Sequence, residues 1–253
     1  MIAKIDKRIE YLRKYSVWRS VLFLGMFPLT IIIIKESQRF VSTQYAYNLL
    51  VQFTILFVTL ILINKDLFLY LEIPENSITK TLTLSISICF SALMLKGIGL
   101  LIVGTKNPQG LAGTTLGKQE YLDSLTILPI IGIGEELLKL VIFLGLFSLI
   151  PGNKLVRFYG ALLLVSFFFG FLHSFGYPIT AVIPIFLGAI PTIFVTIYYK
   201  SVIPAILEHI FWDGFSFTYH YNNNSIAYVM MILMLLFFIK IFKDKNRSKH
   251  YTK

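Results

Sequence analysis

Long apolar stretches decide which solvent this chain of 253 residues can fold in. Eight of them follow one another, and each is close to the roughly 20 residues that a helix needs to cross a bilayer. They cover residues 17–34, 47–63, 79–104, 125–149, 156–176, 179–199, 201–218 and 225–242. Only 14% of the residues are charged, whereas a soluble domain carries about 25%. The sequence therefore predicts an all-α, polytopic transmembrane helical bundle of about eight spans.

The distribution of basic residues predicts the orientation of these spans. If the N-terminus is cytoplasmic, 17 of the 23 Lys and Arg residues lie on the cytoplasmic side, and Lys35, Arg39, Lys106 and Lys118 lie outside. An excess of positive charge on the cytoplasmic side is typical of membrane proteins. Both termini are therefore predicted to be cytoplasmic. The net charge of +10 is therefore explained by the orientation of the chain in a lipid bilayer. No nucleic-acid partner is predicted.

The order of the segments predicts one integral membrane domain with three parts. Residues 1–124 hold three N-terminal spans and a connecting loop, and residues 125–218 hold a catalytic core. Residues 219–253 hold the last span and a basic cytoplasmic tail. Short loops make the later spans antiparallel neighbours, and a composition rich in Ile, Lys and Asn favours a bacterial cell membrane.

Two adjacent acids interrupt the fourth apolar segment. Glu135 and Glu136 lie about ten residues from either end of it, and an ionisable residue within a span costs about 2.5–3.5 kcal/mol. Lys139 follows Glu135 by four residues and lies on the same helical face, so these two are expected to pair. That pairing leaves Glu136 without a partner.

Three further polar residues lie in the fifth and seventh segments. His173 follows a run of aromatic residues, and alone it has the plain interpretation of a hydrogen-bonded or interfacial histidine. His209 and Asp213 are four residues apart, so they share one helical face. Taken together, these residues and the two glutamates indicate a site that several helices share.

This set of side chains is suited to hydrolysis. Glutamate and histidine together activate water as a nucleophile, and a second histidine with an acid stabilises the oxyanion that follows. Alternatively, Glu135, His173 and His209 would hold a divalent metal such as zinc, which activates its bound water. A membrane transporter or a proton or cation relay remains an alternative, because such proteins also bury acids and histidines.

Three short motifs resemble those of a known family. Glu135-Glu136 with a nearby basic residue, Phe169-x-x-x-His173 and His209-x-x-x-Asp213 look like the signatures of the CPBP family of intramembrane proteases. This family includes the CAAX prenyl endopeptidases and the bacteriocin-processing and immunity (Abi) proteins. The family arginine would fall at Leu140, and the basic residue is Lys139 instead. In this first motif the chain resembles PrsW-type proteases, which carry glutamate where this chain has His173.

The resemblance implies a role for each matched residue. Glu135 would be the general base, with His173 positioning the water, and His209 with Asp213 would stabilise the oxyanion. Glu136 and Lys139 would support Glu135.

The same resemblance implies what the enzyme acts on and needs. The substrate would be a membrane-embedded or lipidated peptide, in peptide-signal or bacteriocin processing or in immunity. The cofactor would be none or one divalent metal, as in a metalloprotease, and Lys139 beside the acids favours none. Because the arginine is missing, a non-catalytic immunity scaffold stays an alternative.

Overall fold

A computed structural model describes residues 2–41, 43–105, 115–221 and 232. Eight α-helices lie in these ranges: α1 (Ile2–Arg8), α2 (Val17–Phe40), α3 (Gln44–Ile63), α4 (Ile78–Val103), α5 (Lys118–Leu149), α6 (Lys154–Leu172), α7 (Val182–Tyr199) and α8 (Ile203–His220). Short 3₁₀ turns follow α3 and α6 and precede α4 and α7. The described residues form no strand, so the predicted all-α class is confirmed for them.

Seven of the eight predicted segments correspond to α2 through α8. Of the eighth, residues 225–242, only Ile232 is among the described residues, and the basic tail and part of the loop before α5 lie outside them. Five helical stretches in the described part are long and apolar enough to cross a membrane: Val17–Phe40, Tyr45–Tyr70, Ile78–Val103, Lys154–Phe175 and Ile179–Tyr199. The protein is thus an integral membrane protein, while the total of about eight spans stays a prediction. The two helices missing from this set, α5 and α8, carry the charged residues of the predicted site.

Small polar residues start the helices where the sequence changes from loop to apolar run. The side chains of Ser16, Thr43, Ser77 and Asn153 each accept a hydrogen bond from the backbone N–H three residues later. Such caps satisfy one of the backbone donors that the first helical turn leaves without a partner. They fix where α2, α3, α4 and α6 begin.

Helix α5 is the centre of the bundle. Every residue from Glu136 to Ser148 is buried, because α2, α3, α6, α7 and α8 all pack around this helix. In contrast, α3 and α4 direct large apolar side chains outward, among them Phe57 and Leu101. An outer surface of this kind suits lipid rather than water.

A close approach of α6 and α7 determines where His173 lies. A Cβ atom added at Gly170 would lie 2.6 Å from the backbone oxygen of Val182, so a side chain cannot be accommodated there. The two helices therefore meet where α6 ends and α7 begins. At the same end of the bundle, α3 and α5 begin and α8 ends, which brings the predicted site residues toward one half of the molecule.

Candidate active site

The buried acids gather around His209 on α8. Its Nδ1 lies 2.8 Å from Oε1 of Glu136, and its Nε2 lies 3.5 Å from Oε2 of Glu135 and 3.4 Å from Oδ2 of Asp213. Because a carboxylate can only accept, Nδ1 is the donor toward Glu136. This bond fixes the orientation of the ring and turns Nε2 toward the other two carboxylates.

Glu136 is held by a second cationic group. Its Oε1 also accepts a hydrogen bond of 2.5 Å from Nζ of Lys139, and both side chains are almost fully buried. Nζ of Lys139 further donates to Oγ1 of Thr192 at 3.4 Å and lies 4.3 Å from the ring centroid of Phe169. Glu136 and Lys139 are therefore a buried ion pair that joins α5 to α6 and α7.

The pairing that the sequence suggested between Lys139 and Glu135 is wrong. The lysine pairs three residues back, with Glu136, because the side chain of Glu135 points toward α3. There Nε2 of Gln52 donates to Oε1 of Glu135 at 3.1 Å. Within the described residues, Glu135 forms no ion pair with a lysine or an arginine.

His173 lies in the 3₁₀ turn directly after α6. Its Nδ1 donates to the backbone oxygen of Phe169 at 2.9 Å, and its ring stacks on that of Tyr177 with 6.0 Å between centroids and 7° between planes. In a neutral ring held in this way, Nε2 carries no proton and can accept a hydrogen bond. Among the described contacts, none joins His173 directly to Glu135 or His209.

A cavity of about 810 Å³ connects these residues. Its lining includes all six residues that the sequence predicted for the site: Glu135, Glu136, Lys139, His173, His209 and Asp213. Burial and the nearby charges of Asp213 and Glu135 raise the pKa of the Tyr177 hydroxyl to about 12, so this group stays protonated near neutral pH. The cavity extends to the residues that begin α3 and α5 and end α8.

The sequence did not predict three polar residues that line the same cavity. Gln52 contacts Glu135 directly, while Lys96 of α4 and Glu208 of α8 lie on another side of the cavity. Each is a polar residue within an apolar segment, and that property was the available signal. The sequence alone did not show which helices would bring them to Glu135.

The residues present do not fit a bound metal ion. No group of three or more His, Cys, Asp or Glu side chains in the described part of the chain is arranged to hold one. Of the three residues offered as ligands, His173 has no described contact with Glu135 or His209, and Nδ1 of His209 is already bound to Glu136. The ammonium group of Lys139 beside the acids also opposes a second cation.

Residues 118–215 match the family model described as type II CAAX prenyl endopeptidase Rce1-like. Over these residues the chain is similar to the Rce1-like family. The match confirms the family that the three motifs predicted, and it indicates an intramembrane protease. The Rce1-like segment begins with α5 and ends within α8, so it contains every residue of the predicted site. No curated protein and no solved structure matches the chain.

Proposed function

We propose that the protein hydrolyses a peptide bond of a membrane-associated peptide with a water molecule that Glu135 activates. One observation carries this proposal, namely that two adjacent acids have opposite surroundings. Glu136 is buried between Lys139 and His209, whereas Glu135 lines the cavity, and its described contacts are with the amide of Gln52 and with His209. Glu136 is therefore a supporting residue, and Glu135 is the base.

The reaction follows from these contacts. Glu135 removes a proton from water, and Nε2 of His173 accepts a hydrogen bond from the same water molecule. The oxygen attacks the carbonyl carbon, and the oxyanion is stabilised by the Nε2–H of His209, whose other nitrogen is held by Glu136. Glu135 then delivers its proton to the leaving nitrogen as the C–N bond breaks, which restores the carboxylate.

Asp213 has a supporting role in this scheme. Its Oδ2 lies 3.4 Å from Nε2 of His209, so it keeps that nitrogen protonated between turnovers. A carboxylate so close to the imidazole favours the cationic ring, which is the form that stabilises an oxyanion.

Helices with lipid-facing side chains surround the cavity, and this supports a substrate that is itself in or on the membrane. The Rce1-like match supports a lipidated C-terminal peptide as substrate. A role in bacteriocin processing or immunity stays a prediction.

The contact of Lys139 with Glu136 argues against a scaffold that has lost its chemistry. The family arginine is replaced by Leu140, which is buried in the core. Yet Lys139 reaches Glu136 from the position before it. The acid that orients His209 thus keeps a cationic partner. The Rce1-like match also favours a protease over a transporter or relay.

The test is cleavage of a farnesylated peptide ending in Cys-Val-Ile-Met by the purified protein in detergent. We expect Glu135→Gln to lower kcat by about 10²–10⁴-fold, the usual contribution of a general base, with an unchanged melting temperature. Glu72→Gln is the matched control, because Glu72 is exposed and lies outside the cavity. Wild-type activity in Glu135→Gln would contradict the proposal.

A further inference from the structure

Lys96 is a cation in the cavity that the proposed reaction does not use. It lies in α4, outside the segment that matches the family, and its side chain lines the cavity. Among the described residues it forms no ion pair within 4.0 Å. Its Nζ lies 4.1 Å from the ring centroid of Trp212 on α8, so an aromatic face holds the charge.

The fold makes room for this side chain. A Cβ atom added at Gly188 of α7 would lie 2.5 Å from Cε and 2.8 Å from Cγ of Lys96. The lysine therefore passes directly over the glycine to reach Trp212. Three helices position this one ammonium group, which is unlike a surface lysine that moves freely in solvent.

Lys96 lies beside the hydrolytic residues rather than among them. Glu208 and Trp212 are one turn apart on α8. His209 directly follows Glu208, and Asp213 directly follows Trp212. The two pairs thus occupy neighbouring faces of one helix, about 100° apart. A helix with its side chains is about 10–12 Å wide, and three extended residues span about 10 Å. The reach of a tripeptide is therefore comparable to the width of the helix that carries the two faces.

We propose that Lys96 binds the C-terminal carboxylate of the substrate and thereby sets the scissile bond near Glu135. This inference rests on the proposed function and assigns it a specificity residue. A carboxylate is the ligand that suits a fixed ammonium group that has no ion pair among the described residues, because charge-assisted hydrogen bonds are the strong ones. The aliphatic side chains of such a peptide would lie against the apolar part of the lining.

A structural role for Lys96 is the competing explanation. Glu208 is buried and lies near enough for its charge to interact with that of Lys96. If Lys96 served only to neutralise Glu208, removing both charges together would restore the wild-type behaviour. If Lys96 binds substrate, the double variant Lys96→Met/Glu208→Gln would still lack the preference for a free carboxylate.

The experiment compares two forms of one ligand, the tripeptide Val-Ile-Met with a free carboxylate and with a C-terminal amide. Trp18 and Trp212 are the two tryptophans of the chain, and Trp18 is largely exposed. In the full-length Trp18→Phe variant, emission therefore reports on Trp212 beside Lys96. Cleavage of the farnesylated peptide is measured in parallel, again as free acid and as amide.

We expect the free acid to bind about tenfold more tightly than the amide or better, as for a hydrogen bond between charged groups. Lys96→Met should remove this preference, Lys96→Arg should retain part of it, and Gly188→Ala should weaken it by displacing the lysine. Lys80→Met is the matched control, since Lys80 belongs to the same helix but lies outside the cavity.

Several results would overturn the assignment of Lys96. The wild type could bind the acid and the amide equally well, or not bind the acid at all. Alternatively, the preference for the free acid could survive in Lys96→Met or be restored in the double variant. Failure of the proposed function looks different. Glu135→Gln should bind the free acid as the wild type does and yet not cleave, so cleavage by this variant would contradict the proposed base while leaving the carboxylate site intact.

Discussion

Two buried acids, Asp66 and Glu136, are each held by two cationic groups at different places in the bundle. Asp66 lies in the turn after α3, with Arg13 at 2.5 Å from its Oδ1 and Arg19 at 2.7 Å from its Oδ2. Glu136 lies in the middle of α5 and is held by Lys139 and His209. By themselves the two clusters have the same chemistry, a carboxylate with two partners.

The difference lies in what surrounds each cluster. Next to Asp66 the N-terminal segment is bound to the bundle. For example, the backbone N–H of Tyr15 donates a hydrogen bond to Oγ of Ser148 at 3.0 Å. Next to Glu136 are two further carboxylates, Glu135 and Asp213, and both line the cavity. A buried acid whose charge is balanced stabilises the fold. An acid that faces a cavity without a lysine or arginine of its own is available for chemistry.

Removing the charge of Glu136 should have the largest effect on folding. Breaking a buried ion pair by removing one partner costs about 3–5 kcal/mol, and Glu136→Gln leaves Lys139 buried without its acid. We expect a large fall in melting temperature, measured in detergent, and loss of activity because His209 loses its orientation. The double variant Glu136→Gln/Lys139→Met should recover part of the stability and none of the activity. Wild-type stability in Glu136→Gln would remove the distinction between the two neighbouring acids.

Removing the imidazole of His209 should mainly affect the reaction. The loss of one oxyanion donor lowers kcat by about 10²–10³-fold, and we expect this from His209→Ala with a smaller change in KM. Phe211→Ala is the matched control, because Phe211 is an exposed ring on the same helix and lies outside the cavity. Steady-state kinetics on the farnesylated peptide decide the matter. A change confined to KM would place His209 in substrate binding rather than in the stabilisation of the oxyanion.

Removing the charge of Asp66 should lower stability and leave the reaction unchanged. Hydrogen bonds to charged groups contribute about 1.5–3 kcal/mol, so Asp66→Asn should lower the melting temperature moderately. The activity per folded molecule should stay at the wild-type level, because Asp66 does not line the cavity. Glu36→Gln is the control, since its exposed pair with Arg39 should contribute less than about 1 kcal/mol. A specific loss of activity in Asp66→Asn would connect the two clusters.

The sequence predicted seven of the eight described helices, α2 to α8, because each of these apolar runs has a length that fits a bilayer. It also predicted residues that line one cavity, since Glu135, His173 and His209 stand out in apolar surroundings. What it assigned wrongly was the partner of Lys139, because spacings of three and four residues both place side chains on one helical face. The choice between them depends on Gln52, which comes from a different helix.

The sequence could not predict Gln52 and Lys96 as neighbours of the site for a related reason. Both lie on helices that precede the matched segment, and their position depends on which faces of α3 and α4 turn inward. Those helices are apolar nearly all round, so periodicity gives little indication of the inward face. Gly188 permits the close approach of Lys96, but a glycine in a sequence does not reveal what it contacts.

Removing metal ions with chelators should have the smallest effect on activity. This prediction also tests the distinction between Glu135 as base and Glu136 as support. A metal site needs several donors that are free of cations, whereas Oε1 of Glu136 accepts from an ammonium group and an imidazole N–H. We therefore expect 1,10-phenanthroline and EDTA to leave the cleavage of the farnesylated peptide within about twofold of the untreated rate, since metal-bound water is not part of the proposed reaction. Loss of activity on chelation, with recovery on adding zinc and not magnesium, would contradict this. It would mean that Glu135, His173 and His209 hold a metal ion in the active enzyme, the alternative that the sequence left open.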